Sequence, residues 1–171
     1  MTSNKLDLDI GHDLIDHGTS DDYYTPPYIF KALGLEFDLD VCAPPGGVPW
    51  IPAKRHYSVI DDGLSQEWTG TVWMNPPYSK VTPWIDKFIN HSDGIALIPA
   101  MKSAWWNVIW QKAEAILALN SDIKFVKSDG KTQSIMFTVM LVAMGKEAVD
   151  NLKHSGLGQI RLLDTPSDLR L

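Results

Sequence analysis

The sequence is short of what several common functions require. It holds one cysteine, Cys42, which excludes a disulfide within the chain. The five histidines are scattered, and no His-x-x-x-His or Cys-x-x-Cys spacing occurs, so metal catalysis has no ligand set to build on. No Gly-x-Ser-x-Gly elbow is present for a serine hydrolase. The full Gly-x-Gly-x-x-Gly fingerprint of a dinucleotide site is missing as well. No apolar run approaches the roughly 20 residues that span a bilayer, which predicts no membrane association. The segment from Met1 to Asp7 lacks a basic stretch followed by an apolar one, so no secretion signal is read and cytoplasmic residence is expected. Positive charge is also scarce: 15 Lys and Arg stand against 21 Asp and Glu, a formal net charge of −6. That balance argues against a protein that coats nucleic acid electrostatically, but leaves room for an enzyme with a local basic face.

What is there suits one domain. The chain has 171 residues, 44% hydrophobic and 21% charged, enough for one real core and too few for two. We expect a flexible acidic tail over 1–20, a single domain over 21–165 and a short tail over 166–171. Acidic residues crowd the beginning, while Lys124, Lys127, Lys131, Lys146, Lys153 and Arg161 fall in the second half. Neither internal repeats nor low-complexity segments are found.

The organising stretch is Thr71 to Tyr78. A short apolar strand through Val72, Trp73 and Met74 runs into Asn75-Pro76-Pro77-Tyr78. Two adjacent prolines hold φ near −65° and donate no hydrogen bonds, so this turn is stiff. A rigid turn at the carboxyl end of a strand is where open α/β sheets place ligand crevices. Such a turn suits group transfer to a planar exocyclic amine. The Asn75 side-chain oxygen and the Pro76 carbonyl can accept the two amine hydrogens and free the nitrogen lone pair. Tyr78 can stack on the base, and the contribution is positioning and electrostatics.

The remaining elements alternate. Thr25 reads as an N-cap, Pro26 as the first helical position and Gly34 as the C-cap, with Ile29, Phe30 and Leu33 as the buried stripe. Glu36 to Ala43 reads as a strand ending in Pro44-Pro45-Gly46-Gly47, and Asp40 toward its end serves either as a loop cap or as a ligand for a charged cofactor. Residues 44–67 form a long irregular segment closed by the turn Asp61-Asp62-Gly63-Leu64 and by Trp68. Pro83 to Ile89 is an amphipathic helix, and Gly94 to Ala100 a buried strand of the parallel type. A tryptophan-rich helix runs from Ser103 to Ala113. Strands follow at Ala115–Leu119, Ile123–Val126 and Ser134–Ala143, with Met136 and Met140 expected in the core. A helix at Lys146–Leu152 and an edge strand at Gln159–Leu163 finish the chain. This order predicts a mainly parallel α/β sheet with helices on both faces.

Asn75-Pro76-Pro77-Tyr78 resembles the motif of S-adenosylmethionine-dependent amino-methyltransferases. Tyr24-Thr25-Pro26, Phe37 to Ala43, Asp61 to Leu64, Trp68, Pro99-Ala100 and Trp105-Trp106 stand around it. Over roughly 21–143 the chain so resembles the phage and prophage family of small DNA N6-adenine methyltransferases, the phage Dam family. The resemblance implies a reduced Rossmann-like fold and S-adenosyl-L-methionine as cofactor. It implies methyl transfer to the N6 amine of an adenine flipped out of double-stranded DNA, in the host cytoplasm if the protein is phage-encoded. Catalytic roles fall to Asn75, Pro76, Pro77 and Tyr78. Cofactor-binding roles fall to Tyr24, Thr25, Pro26, Asp40, Cys42, Asp62 and Leu64. Ser79, Lys80, Lys102, Lys124, Lys127 and Lys131 are candidates for DNA phosphate contacts. No metal is implied, and protection of phage DNA from restriction follows by analogy alone.

The chain departs from the family pattern at Val41, where proline is common, and at Pro44-Pro45-Gly46-Gly47, which replaces a more polar turn. It carries no insertion large enough for a separate target-recognition domain. Sequence specificity is therefore expected from loops or from the second subunit of a homodimer. The motif does not separate adenine from cytosine N4, RNA adenine or protein glutamine. A non-catalytic protein that binds nucleic acid or a partner on a decayed methyltransferase fold is the reading from another class, and the presence of Asp40 and Asn75 weighs against it.

Overall fold

The computed structural model describes residues 23–136 and 138–163. The expected tails over 1–20 and 166–171, and Phe137, lie outside the described residues. In chain order the elements are α1 (Pro27–Leu33), β1 (Phe37–Asp40), β2 (Ala53–His56), β3 (Val72–Met74), α2 (Thr82–His91), β4 (Gly94–Pro99), α3 (Ala104–Lys112), β5 (Ala115–Leu119), β6 (Lys124–Val126), β7 (Thr132–Ser134), β8 (Val139–Met144), α4 (Lys146–His154) and β9 (Gly158–Leu162).

Seven strands form one sheet in the order β2-β1-β3-β4-β8-β5-β9, and β6 and β7 make a separate hairpin. The pairs β2·β1, β1·β3 and β3·β4 are parallel, whereas β4·β8, β8·β5 and β5·β9 are antiparallel. The sheet is therefore mixed rather than mainly parallel. β4 in particular has one parallel and one antiparallel neighbour.

Helices do cover both faces, and the strand pleat explains how. Successive residues of a strand point to opposite sides. Val72, Met74, Ala96 and Ile98 pack with Ile85 and Phe88 of α2 and Trp105 and Ile109 of α3. Trp73, Ile95 and Leu97 pack with Ile29, Phe30 and Leu33 of α1 and Ala148 and Leu152 of α4. Each fully buried Ile or Leu contributes about 1.5–3 kcal/mol of apolar burial. An aromatic group on the α1 face, Phe30, Phe37 and Trp73, has ring centroids 4.7 to 6.4 Å apart.

Four expectations are corrected. Pro26 is the N-cap of α1 and Pro27 its first residue, and Thr25 makes no side-chain cap. Gly34 does end the helix, at φ 59°. The segment 44–67 is not wholly irregular: β2 lies inside it as an exposed edge strand, and an edge can be built from Lys54, Arg55 and His56 without apolar alternation. The apolar stretch 134–143 is not one strand. Its first part leaves the sheet and Met136 is 91% exposed, while the buried strand is Val139–Met144. The last helix and the edge strand at 158–162 stand where they were expected.

The chain passes from β1 outward to β2, then returns to the other side of β1 for β3 and β4. Strand order thus reverses between β1 and β3, and a crevice opens beyond the carboxyl ends of strands that separate in this way. Close approach of β3 and β4 requires Gly94. Its φ is 144°, and a Cβ there would lie 2.2 Å from the Val72 carbonyl oxygen. Gly94→Ala is expected to lower the thermal midpoint by about 10 °C. An unchanged melting curve by circular dichroism would contradict this β3–β4 packing.

Candidate active site

Register sets the site. Asp40, the last residue of β1, pairs with Trp73 of β3, and the Val41 N–H donates to the Trp73 carbonyl at 3.0 Å. Asn75 follows one residue beyond the end of β3, so a carboxylate and an amide sit at neighbouring strand ends. A narrow cleft lies at the switch point. Its lining includes Tyr24, Thr25, Asp40, Cys42 and Asn75, five of the residues picked out in the sequence. Tyr23, Val48, Ile51 and Trp73 also line it and escaped the sequence reading. Trp73 reads there as strand interior, and Val48 and Ile51 as part of a Gly/Pro loop. No motif marks them.

Two polar groups in the cleft carry its chemistry. Asp40 is 3% exposed, and its Oδ1 accepts the Cys42 backbone N–H at 3.2 Å. Burial pushes its carboxyl up to about 7, and the Cys42 N–H only partly offsets that. Thr25 is 1% exposed, and among the described residues its hydroxyl is the one buried side-chain polar atom without a hydrogen-bond partner. A buried carboxyl with one donor and an orphaned hydroxyl, both facing a cleft, are suited to a ligand bearing an ammonium and a carboxylate.

The segment before α1 ties the cleft together. Trp50 donates its indole N–H to the Thr25 carbonyl at 2.9 Å. Tyr24 exchanges two backbone hydrogen bonds with Val126 of β6, at 2.8 and 2.9 Å. The Asn75 Nδ2 donates to the Tyr23 carbonyl at 3.1 Å. A carbonyl can only accept, so the amide nitrogen must face Tyr23 and the Asn75 oxygen points elsewhere. Tyr78, on the short 3₁₀ turn Tyr78–Lys80, is half-buried with its hydroxyl 3.5 Å from the Leu97 carbonyl, and burial holds the phenol protonated.

Asp62 and Leu64 do not line this cleft. Their turn packs behind it: a Cβ on Gly63 would lie 2.3 Å from the Val41 carbonyl. Lys87 of α2 donates to the Leu64 carbonyl at 2.7 Å, which holds the turn there. Asp62 is exposed and left-handed at φ 53°, while Asp61 caps the Ser58 N–H and hydroxyl at 2.8 Å each. Pro26 is buried at the start of α1 without lining the cleft, and the Pro77 carbonyl accepts the Lys80 N–H at 3.2 Å. The remaining candidates lie beyond the carboxyl edge of the seven-stranded sheet. Ser79 and Lys80 follow the motif and are exposed, Lys102 follows β4, and Lys124, Lys127 and Lys131 sit on the β6–β7 hairpin. Lys131 is paired with Asp129 at 3.5 Å. Among the described residues no group of three metal-ligating side chains occurs, and no helix is long and apolar enough to cross a membrane.

An α/β sheet with helices on both faces and a polar cleft at its switch point fits a methyltransferase fold. The chain belongs to the DNA N-6-adenine-methyltransferase (Dam) family, whose model matches residues 15–149. A DNA N-6-adenine-methyltransferase of Haemophilus phage HP1 (strain HP1c1) is 26% identical over 117 residues. That match covers 61% of this chain and 66% of the phage protein, so the chain spans just under two-thirds of its relative's length.

Asp40 gives a stability prediction. Its folded carboxyl keeps its proton up to about pH 7, whereas an unfolded aspartate releases it near 3.9. Between those values the folded state holds more protons, so this residue's contribution is full below about pH 4 and is lost as pH rises through about 7. Asp40→Asn is expected to raise the thermal midpoint at pH 8 by several degrees, with the gain shrinking toward pH 4. A gain of equal size at both pH values would contradict the buried-acid assignment.

Proposed function

We propose that this protein transfers a methyl group from S-adenosyl-L-methionine to the N6 amine of an adenine extruded from double-stranded DNA, on a reduced Rossmann-like fold. The observation that carries the reading is the Asn75 amide, locked by Tyr23 with its oxygen directed away, on the rim of a cleft that also holds Asp40 and Thr25.

The residues fit the cofactor. Asp40 would hold its ammonium and Thr25 its carboxylate, which gives the orphaned hydroxyl a partner. Tyr24 and Cys42 would bound the methionine portion, and Asp62 with Leu64 would act from behind the cleft by shaping the turn against Val41. When bound, S-adenosylmethionine supplies an electrophilic methyl on a sulfonium. The chain itself does the orienting. The Asn75 oxygen and the Pro76 carbonyl accept the two N6 hydrogens, and Pro77 keeps the turn stiff. Transfer of that methyl would form an N–C bond as the sulfur–methyl bond breaks, with the amine proton leaving to solvent. Tyr78 stacks on the base and, as a protonated phenol, takes no part in the proton transfer. An adenine inside a duplex cannot reach these groups, so it is flipped at a cost of about a few kcal/mol. Ser79, Lys80, Lys102 and the hairpin lysines contact phosphates and fix register without reading sequence.

Asn75→Ala is expected to lower methyl transfer to unmethylated plasmid DNA by about 100-fold or more while cofactor binding stays within about threefold. Radiolabelled transfer with nucleoside analysis measures the first and calorimetry the second. Wild-type rates in that variant would sink the mechanism, and N4-methylcytosine in place of N6-methyladenine would change the acceptor. Because the ammonium requires an ionised partner, cofactor affinity should weaken toward tenfold per pH unit as pH falls below about 7. Asp40→Asn should bind weakly with a flat profile; a sloping one would move the ammonium to another residue.

A further inference from the structure

A second, open cavity lies at the same carboxyl edge of the sheet, beyond the end of β5 and the start of β8. Its floor is apolar, with Phe125, Ile135 and Val139 among the lining residues. Its rim is polar: Asn120, Ser121, Asp122 and Thr138. All four rim residues are exposed, and none makes a side-chain hydrogen bond to a described residue. An apolar floor with several unengaged donors and acceptors above it is the usual make-up of a site for a small organic group.

Charge narrows the ligand. Asp122 on the rim repels phosphate but can accept from an exocyclic amine, and the Asn120 amide offers a donor and an acceptor side by side. Lys124, on the hairpin strand that begins just past Ile123, supplies the opposite sign next to the cavity rather than inside it. That division, cation outside and uncharged or acidic groups within, matches a nucleotide whose backbone stays out while its base enters. Position narrows it further. The cavity lies two to three strands from β3, which at the usual strand spacing is about 10 to 14 Å from the Asn75 turn. That is too far for the base undergoing methylation and spans about three to four base steps of DNA. The wall is shared: Phe125 in the floor packs edge-on against Tyr23, ring centroids 6.2 Å apart, and the Tyr23 carbonyl holds Asn75.

We propose that this second cavity is a specificity subsite that takes an unstacked nucleobase flanking the target adenine, read by Asn120, Ser121, Asp122 and Thr138. The proposal rests on the adenine-methylation reading, and supplies the base-specific contacts that the phosphate-binding lysines do not. Two measurements test it. Backbone amide signals of the full chain are followed by NMR during titration with a short deoxyoligonucleotide, in the wild type and in Ser121→Trp, which fills the cavity. Methylated adenines are mapped in genomic DNA treated with the wild type, Asp122→Asn and Asn120→Ala, surface changes that leave the fold intact. The expected results are shifts at 120–122 and 138 that Ser121→Trp removes, and loss of about tenfold or more of the preference at one flanking position in a rim variant. Rim signals that do not move, or an unchanged preference in both rim variants, would overturn the subsite. If the wild type transfers no methyl group yet the rim signals shift and Ser121→Trp abolishes the shift, the subsite stands and the methylation reading falls.

Discussion

The hydrogen bond from the Val41 N–H to the Trp73 carbonyl is the contact on which the rest depends. It sets the register of β1 against β3, and a slip of one residue would turn every side chain on β3 to the other face. Trp73 would leave the aromatic group beneath α1, and Val72 and Met74 would lose the α2 face. The acid at the end of β1 would no longer share a cleft with the amide past β3. Core packing and site geometry are therefore one constraint, and two buried helical layers enforce it.

Asp40 illustrates the tension between stability and use. A carboxyl taken almost wholly from water with a single backbone donor disfavours its own ionised form, and an asparagine would sit there more comfortably. The hydroxyl of Thr25 lines the same cleft and lacks a partner altogether. Strained or under-satisfied groups tend to gather at such places.

Part of the cleft's lining and most of the element order were legible in the sequence. Asn75-Pro76-Pro77-Tyr78 stood out because two prolines and an amide leave few backbone options, and Asp40 because it lies toward the end of an alternating pattern that ran three residues past the observed strand, to Ala43. β2 escaped because an edge strand of Lys54, Arg55 and His56 carries no apolar alternation to detect. The stretch around Met136 misled in the opposite direction: its apolar residues run on from those of β8 without marking the point where the chain leaves the sheet. Thr25 looked like a helix cap because threonine before proline usually is one, and only the three-dimensional contacts reveal Pro26 in that place. Asp62 and Asp61 are adjacent in sequence yet do different work, one exposed on a left-handed backbone and one binding Ser58, a division set by the turn's path over Val41.

The two borders of the sheet have a bearing on how copies of the molecule meet. β2 presents Lys54, Arg55 and His56 to solvent, and β9 presents Gln159 and Arg161. Charged, short border strands resist the addition of a further strand from a neighbouring chain. The sheet is thus guarded against running on from one molecule into the next, as fibrils do. Any lasting association between copies is left to the helical layers or the loops.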